Sequence, residues 1–313
     1  MGRLRLRAPL LFLAAGVAVA APAAARLERE PRPVVVAVAG DIACDPLDPR
    51  FQDGAGTAGN CRQTDTSKLL LDRRVFPRLD AVLTAGDNQY LIGSLDAFRG
   101  SYDPSWGRLK AITRPSPGNH EYLTESASGY FAYFGAAAGP PGRGYYSFDL
   151  GAWHVVSLNA NCGFVGGCGA ASPEVRWLRR DLARSSAKCT LAYWHQPRFS
   201  SGLHGSDTSY RELWQALYEA KADVVVNGHD HDYERFAPQD PDGRLDPVGG
   251  IREIVVGTGG ESLRGFPKVV PNSRARDSMT FGVLRLTLRA SSYDWSFLPA
   301  AGSFRDSGTA ACH

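Results

Sequence analysis

The sequence predicts an α/β protein, and three observations predict it. Short runs of apolar, mostly β-branched residues recur at Val34–Val38, Ala81–Thr84, Val155–Leu158, Thr190–Trp194, Val224–Val226 and Ile254–Val256. Their apolar character is continuous rather than alternating, as in strands covered on both faces of a sheet. Helix-like segments lie between them, and strand alternating with helix is the pattern of this class.

The N-terminus comes first. Arg3, Arg5 and Arg7 precede an apolar run from Pro9 to Ala20, and Ala23, Ala24 and Ala25 supply a small-residue cleavage site. This is the pattern of an export signal over residues 1–25. The run is shorter than the roughly 20 residues that a membrane span needs; an uncleaved N-terminal anchor is the competing reading. The rest, 26–313, reads as a single domain, secreted to the periplasm or the extracellular space, with no membrane span after signal removal.

Two helices stand out among the connecting segments. Ser172-Pro173-Glu174 is an N-cap followed by proline at the first helical position, and Val175, Leu178 and Leu182 follow at helical spacing. A second helix is expected from about Asp207 to Lys221, with Leu213 and Leu217 one turn apart. From Phe281 to Phe297 apolar and polar residues alternate through Val283, Leu284, Leu286 and Leu288, which predicts an antiparallel hairpin at a sheet edge. The long Gly/Pro-rich loops between 45 and 60, 139 and 144, and 160 and 172 belong above a rigid sheet, where loops carry specificity.

Lys plus Arg number 35 against 32 acidic residues, a net charge of +3; losing the three arginines of the signal brings it to zero. That balance offers no nucleic-acid or membrane-surface partner. The six cysteines all lie beyond residue 25, and an even number in an exported chain reads as disulfides. Six admit 15 pairings. Cys162 with Cys168 would close a Gly-rich loop, and Cys44 with Cys61 another, leaving Cys189 to tie down the tail through Cys312. Thiolate metal ligation is the alternative, but no C-x-x-C spacing supports it.

Five polar clusters follow the strand-like runs in order: Gly40-Asp41, Gly86-Asp87-Asn88-Gln89-Tyr90, Gly118-Asn119-His120-Glu121 after a Pro-rich segment, His195, and Gly228-His229-Asp230-His231. In open α/β sheets ligands gather at the carboxyl ends of strands, so these clusters can share one crevice. Asp, His, Asn and Tyr suit iron, manganese and zinc, and two such ions about 3.5–4 Å apart can clamp a phosphoryl group. His229 and His231, at i and i+2, point to the same side of an extended chain. Taken singly each residue has a plainer explanation. Gly-Asp is common turn punctuation, His195 could be a satisfied core histidine, and Tyr90 a buried aromatic. His154, at a strand start, reads as structural, and His313 has no evident partner.

The series Gly-Asp, Gly-Asp, Gly-Asn-His-Glu, His and Gly-His-x-His, spanning about Val34 to Arg235, resembles the calcineurin-like metallophosphoesterase superfamily. Most of that superfamily has His two residues after the first Asp, where this chain has Ala43. The purple acid phosphatase branch also lacks that His and uses a Tyr three residues after the second Asp, where Tyr90 stands. His229-Asp230-His231-Asp232-Tyr233-Glu234-Arg235 likewise resembles that branch. The resemblance implies two mixed β-sheets packed face to face and flanked by helices, an α+β-like four-layer sandwich. It implies one metal on Asp41, Asp87, Tyr90 and His231, and a second on Asp87, Asn119, His195 and His229, with Asp87 bridging. The phenolate favours Fe3+ beside Fe2+, Zn2+ or Mn2+. His120 and His204 become the catalytic histidines that contact the phosphate or protonate the leaving oxygen. Glu121, Tyr233, Glu234 and Arg235 are expected to support the metal ligands by hydrogen bonding.

The expected activity is hydrolysis of a small phosphate ester, most simply a monoester, by a metal-bound hydroxide. A phosphodiesterase or nucleotidase on the same site, and a non-catalytic binding module stabilised by metals, are the alternatives that remain.

Overall fold

In the computed structural model, which describes residues 1, 2, 4, 8 and 32–313, all six apolar runs fall on strands. The expected export signal lies outside the described residues apart from those four. The first sheet contains β1 (Val34–Ala39), β2 (Ala81–Ala85) and β3 (Thr113–Ser116), parallel to one another. Its other half is the antiparallel series β11 (Gly282–Leu288), β12 (Ser292–Pro299) and β13 (Ser307–Ala311), in the order β13-β12-β11-β1-β2-β3. The second sheet runs β10-β8-β9-β7-β6-β5-β4. There β5 (Trp153–Ser157), β6 (Cys189–Tyr193), β7 (Val224–Asn227) and β9 (Arg252–Val256) are parallel. The strands β4 (Tyr146–Leu150), β8 (Tyr233–Phe236) and β10 (Ser273–Asp277) are antiparallel additions.

Successive side chains on a strand point to opposite faces, and this divides the apolar runs between two cores. Leu191, Tyr193, Val224, Val226, Ile254 and Val256 join Val36, Val38, Leu284 and Leu286 between the sheets. Ala192, Trp194, Val225 and Val156 face the other way. They meet Val175, Leu178 and Leu182 of the helix Pro173–Leu182, and Leu213, Trp214 and Leu217 of the helix Arg211–Glu219. On the far side, Leu70, Phe98, Trp106 and Tyr130 cover the first sheet. The expected layers of sheet on sheet, flanked by helices, are present. Ser172 caps its helix as expected, its hydroxyl accepting from the Val175 N–H at 3.2 Å.

Two expectations, the edge hairpin and the unpartnered His313, need correction. The C-terminal hairpin is not an edge: β11 pairs with β1 and β12 with β13, so the short β13 forms the border. The Pro-rich stretch before Gly118 is itself a strand, β3, and its position at the sheet edge tolerates Pro115, which has no N–H to donate. The expected helix at 207–221 begins with a tight turn, Thr208–Tyr210, capped by Asp207, and continues as Arg211–Glu219. His154 is structural, with ring nitrogens 3.0 Å from Asp149 and 2.9 Å from Asp181. His313 does have a partner: its backbone N–H donates to Asp223 at 2.9 Å. Among the described residues no helix is long and apolar enough to cross a membrane.

All six cysteines are paired as Cys44–Cys61, Cys162–Cys168 and Cys189–Cys312. The last closes a loop of 123 residues and the second one of 6. On a chain-entropy account these stabilise by about 5 and about 2 kcal/mol. The double variant Cys189→Ala with Cys312→Ala should therefore lower the unfolding free energy roughly twice as much as Cys162→Ala with Cys168→Ala, measured by urea titration.

Candidate metal centre

The carboxyl ends of β1, β2, β3, β6, β7 and β9 meet at one rim, and main-chain hydrogen bonds hold them together beyond the strands. Asp41 N–H donates to Gly86 at 3.1 Å and Ile42 N–H to Asp87 at 3.0 Å, which carries the β1–β2 pairing into the turns. Gly228 N–H donates to His195 at 2.9 Å. Gly40 N–H donates to Val256 at 3.0 Å, joining the two sheets where their strands end.

Three of the turn residues adopt left-handed backbone conformations: Asp41 at φ 59°, Asp87 at φ 44° and His229 at φ 71°. Such non-glycine positions are costly by about 1–3 kcal/mol and concentrate at functional sites. Two adjoining glycines are required by close approach. A Cβ on Gly86, itself at φ +78°, would lie 2.5 Å from His195 Cβ, and one on Gly118 would lie 2.1 Å from Asp87 Oδ1.

The side chains so placed form two linked groups. In the first, Tyr90 Oη donates towards Asp41 Oδ1 at 2.7 Å and Asp87 Oδ2 at 2.9 Å, with His231 Nε2 at 3.2 Å; His231 Nε2 is 3.3 Å from Asp41 Oδ1. In the second, His195 Nε2 is 3.0 Å from Asp87 Oδ2 and 3.2 Å from His229 Nδ1. Ligand atoms of Asp87, His195 and His229 all lie within 4.8 Å of one another. Asp87 Oδ2 belongs to both groups. Asn119, on the turn between Gly118 and His120 beside Asp87, has its Oδ1 buried with no hydrogen-bond partner, an arrangement that needs a donor or a cation.

The imidazoles are oriented by what lies behind them. His195 Nδ1 donates to the Ala85 carbonyl at 2.8 Å, and His231 Nδ1 meets Ser262 Oγ at 2.8 Å and Glu261 at 3.1 Å. In each case Nε2 is left facing the cluster, the arrangement that fixes the tautomer of a metal-binding histidine. Asp41 and Asp87 are 0% and 2% exposed, and burial alone would push both carboxyls up. His231 and His195 outweigh burial at Asp41, and His195 and His120 do so at Asp87, so both stay below the usual carboxylate range. The reciprocal effect raises His195 and His231 against the opposition of burial. Burial, with His195 and His204 nearby, holds His229 low, leaving its nitrogen lone pair free. Burial, then Asp41 and Asp87, drive Tyr90 far above an ordinary phenol, so its phenolate requires a strong positive charge at the site.

His120 and His204 stand at the margin. The His120 ring lies 4.2 Å from that of Tyr90, its Nδ1 donates to the Leu91 carbonyl, and its Nε2 is 3.9 Å from Asp87 Oδ2. The His204 ring stacks on His229 at 4.1 Å, with Nδ1 on Asp230 Oδ1 at 2.9 Å. These contacts tie eight of the nine residues singled out in the sequence into one cluster, and Asn119 lies on the turn between Gly118 and His120, both of whose backbones approach Asp87. Tyr233 and Arg235 do not support it directly; Tyr233 Oη and Arg235 Nε both donate to Asp306. Glu234 accepts from Ser201. Glu261 and Ser262 were missed, and the one signal for them was their place just after the sixth apolar run. A larger cavity, of about 520 Å3, lies at the amino ends of β5 and β6 around His154 and Lys188 and contains none of the cluster residues.

A family model for calcineurin-like phosphoesterases matches residues 34–233. Purple acid phosphatase 21 of Arabidopsis thaliana is 31% identical over 264 residues, 76% of this chain and 58% of that protein. Purple acid phosphatase 15 of the same plant is 32% identical over 186 residues, 51% and 33%. Among solved structures, purple acid phosphatase PPD1 from yellow lupin superposes with a TM-score of 0.73 at 18% identity, over 89% of this chain and 54% of that one. The chain thus spans about a third to just over half the length of these proteins.

Glu121 holds the turns of the cluster in register. It is fully buried, Oε1 accepts from Asn88 and Gln89 N–H at 2.8 and 3.2 Å, and Oε2 accepts from Gly118 N–H at 2.6 Å. Glu121→Ala leaves three N–H groups unsatisfied. At about 1–3 kcal/mol each for a buried unpaired group, it should destabilise the fold by about 3 kcal/mol or more, read from the shift in the denaturation midpoint.

Proposed function

The chain belongs to the calcineurin-like phosphoesterase family, and from that premise we propose that it is a secreted dinuclear-metal phosphomonoesterase. The observation that carries this reading is the position of Asp87 Oδ2, 2.9 Å from Tyr90 Oη and 3.0 Å from His195 Nε2. One carboxylate oxygen thereby serves two adjacent ligand groups. Asp41, Asp87, Tyr90 and His231 would hold one cation, and Asp87, Asn119, His195 and His229 the other. The donor set of carboxylate, imidazole, amide and phenol oxygen fits iron, zinc or manganese, and the phenol fits Fe3+ in the first position. When bound, the pair would supply Lewis-acid charge to the phosphoryl oxygens and to the attacking water.

The protein's own groups do the rest. Asp41 and Asp87 are anchored by backbone N–H groups, His229 to Asp41 Oδ2 at 2.8 Å and His120 to Asp87 Oδ1 at 2.9 Å, so both remain in place as charge builds on the phosphate. His120, with Nε2 towards the cluster, and His204, braced by Asp230, are placed to bind phosphate oxygens and to deliver a proton to the departing oxygen. Export is supported by the three disulfides. On this reading residues 26–313 are one catalytic domain behind a cleaved signal.

The test is hydrolysis of p-nitrophenyl phosphate against bis(p-nitrophenyl) phosphate. The monoester should be preferred, and Asp87→Asn or His195→Ala should reduce its turnover at least 100-fold, on the order of what loss of one transition-state contact costs. Preference for the diester would transfer the site to phosphodiesterases, and undiminished turnover in both variants would remove the catalytic role. A second measurement concerns Tyr90. Iron-loaded protein should show a visible phenolate-to-metal charge-transfer band that Tyr90→Phe abolishes; an iron-free, colourless and fully active preparation would overturn the ferric assignment.

A further inference from the structure

Beside the Tyr90 face of the cluster lies a cavity of about 340 Å3, at the lower end of the roughly 300–1,000 Å3 of small-molecule sites. Leu47, Pro49, Leu91 and the Cys44 half of a disulfide line it, and Tyr90 is shared with the cluster. The His120 ring packs on Tyr90, its Nδ1 donates to the Leu91 carbonyl, and its Nε2 faces Asp87. A phosphoryl group held at the cluster would thus have this cavity beside it, on the far side of the shared Tyr90.

The charged groups of the lining are already engaged. Asp45 accepts from the backbone N–H groups of Leu47 at 2.7 Å and Leu91 at 3.2 Å, which pins two loops and sets both leucines at the mouth. Arg50, the one cation in the lining, is held by both oxygens of Asp48 at 2.9 and 2.6 Å and by Asn60 at 3.0 Å. Glu261 is paired with His231. With Arg50 already held by Asp48, the lining offers no free cation to receive a second phosphate or a carboxylate on the substrate. Leu47 and Leu91, 89% and 58% exposed, present apolar surface whose removal from water favours an apolar occupant.

Resting on the phosphatase reading above, we propose that this cavity receives the organic part of the substrate, and that the ester is one of an uncharged, apolar alcohol, aryl or alkyl. Sugar phosphates, nucleotides and polyphosphates are disfavoured by the same walls. In the reaction the P–O bond to the alcohol breaks, the water oxygen bonds to phosphorus, and one water proton ends on the departing oxygen. The products are inorganic phosphate and the free alcohol. Leu47 and Leu91 are specificity-determining residues: they contact the alcohol and not the phosphorus.

The test compares kcat/KM of the metal-loaded protein for 2-naphthyl phosphate, phenyl phosphate and 4-carboxyphenyl phosphate. The first two have leaving groups of similar acidity, so their ratio reports the cavity. Naphthyl should exceed phenyl by about tenfold, and 4-carboxyphenyl should fall below phenyl despite its better leaving group. Leu47→Asp should abolish the naphthyl preference, and Leu47→Arg should invert the discrimination against the carboxylate. Leu47 is exposed, so both variants should keep the wild-type denaturation midpoint. Equal rates for the three esters, or ratios unchanged in both variants, would overturn the substrate class while leaving the phosphatase reading standing. Hydrolysis of none of them would overturn both.

Discussion

Two buried carboxylates of like charge, Asp41 and Asp87, share one phenol hydroxyl, and the rest of the rim is arranged around keeping them there. Taking a carboxylate out of water costs several kcal/mol even after relaxation, and placing two side by side adds their repulsion. His195 and His231 oppose this cost, each held above its ordinary range by the carboxylates beside it. The compensation is of the kind a pair of cations provides more strongly and with less water.

Holding the carboxylates in this state requires a backbone that helices and strands do not offer. Each is placed two residues past a strand, in a left-handed turn, with a glycine on its N-terminal side. The glycines allow strand ends from different sheets to approach as closely as Gly40 and Val256 do. The two sheets supply the two ligand groups unequally: Asp41, Asp87, Tyr90 and Asn119 follow the first sheet, and His195, His229 and His231 follow the second. The packing between the sheets therefore sets the distance between acid and imidazole. Core residues such as Val36, Leu191 and Val226, buried between the sheets a few positions before Asp41, His195 and His229, position the site.

Most of this was legible in the sequence because it is local. Six apolar runs fall on β1, β2, β5, β6, β7 and β9, and the polar clusters at strand ends contain eight of the nine residues singled out, His204 being reached only through the resemblance. What escaped depends on contacts between distant segments. β3 was hidden by Pro115, which is acceptable only because the strand has one neighbour, a property of the sheet rather than of the segment. Glu261 and Ser262 act on His231 only through the return of β9 to the rim. Tyr233 and Arg235 were expected to support the ligands because they adjoin His231. They instead face Asp306, some 70 positions on, because the strand that carries them leaves the rim at once.

The disulfides divide along the same line. Cys189–Cys312 joins the start of β6 to the C-terminal strand, where a long loop in the unfolded chain gives a crosslink its greatest entropic effect. Cys162–Cys168 closes so short a ring that this effect is at its smallest, and Cys44–Cys61 lies between. Both shorter crosslinks sit in irregular loops above the carboxyl ends of strands, where the chain has no ladder of backbone hydrogen bonds to hold it. Their larger contribution is to the folded state. The Cys44–Cys61 crosslink steadies the segment carrying Leu47 and Arg50, and the Cys162–Cys168 ring carries Phe164, stacked on Tyr122 at 4.4 Å. A site assembled from turns keeps its geometry only if the loops around it are tied, and here covalent bonds tie the loops that sheet and helix leave free.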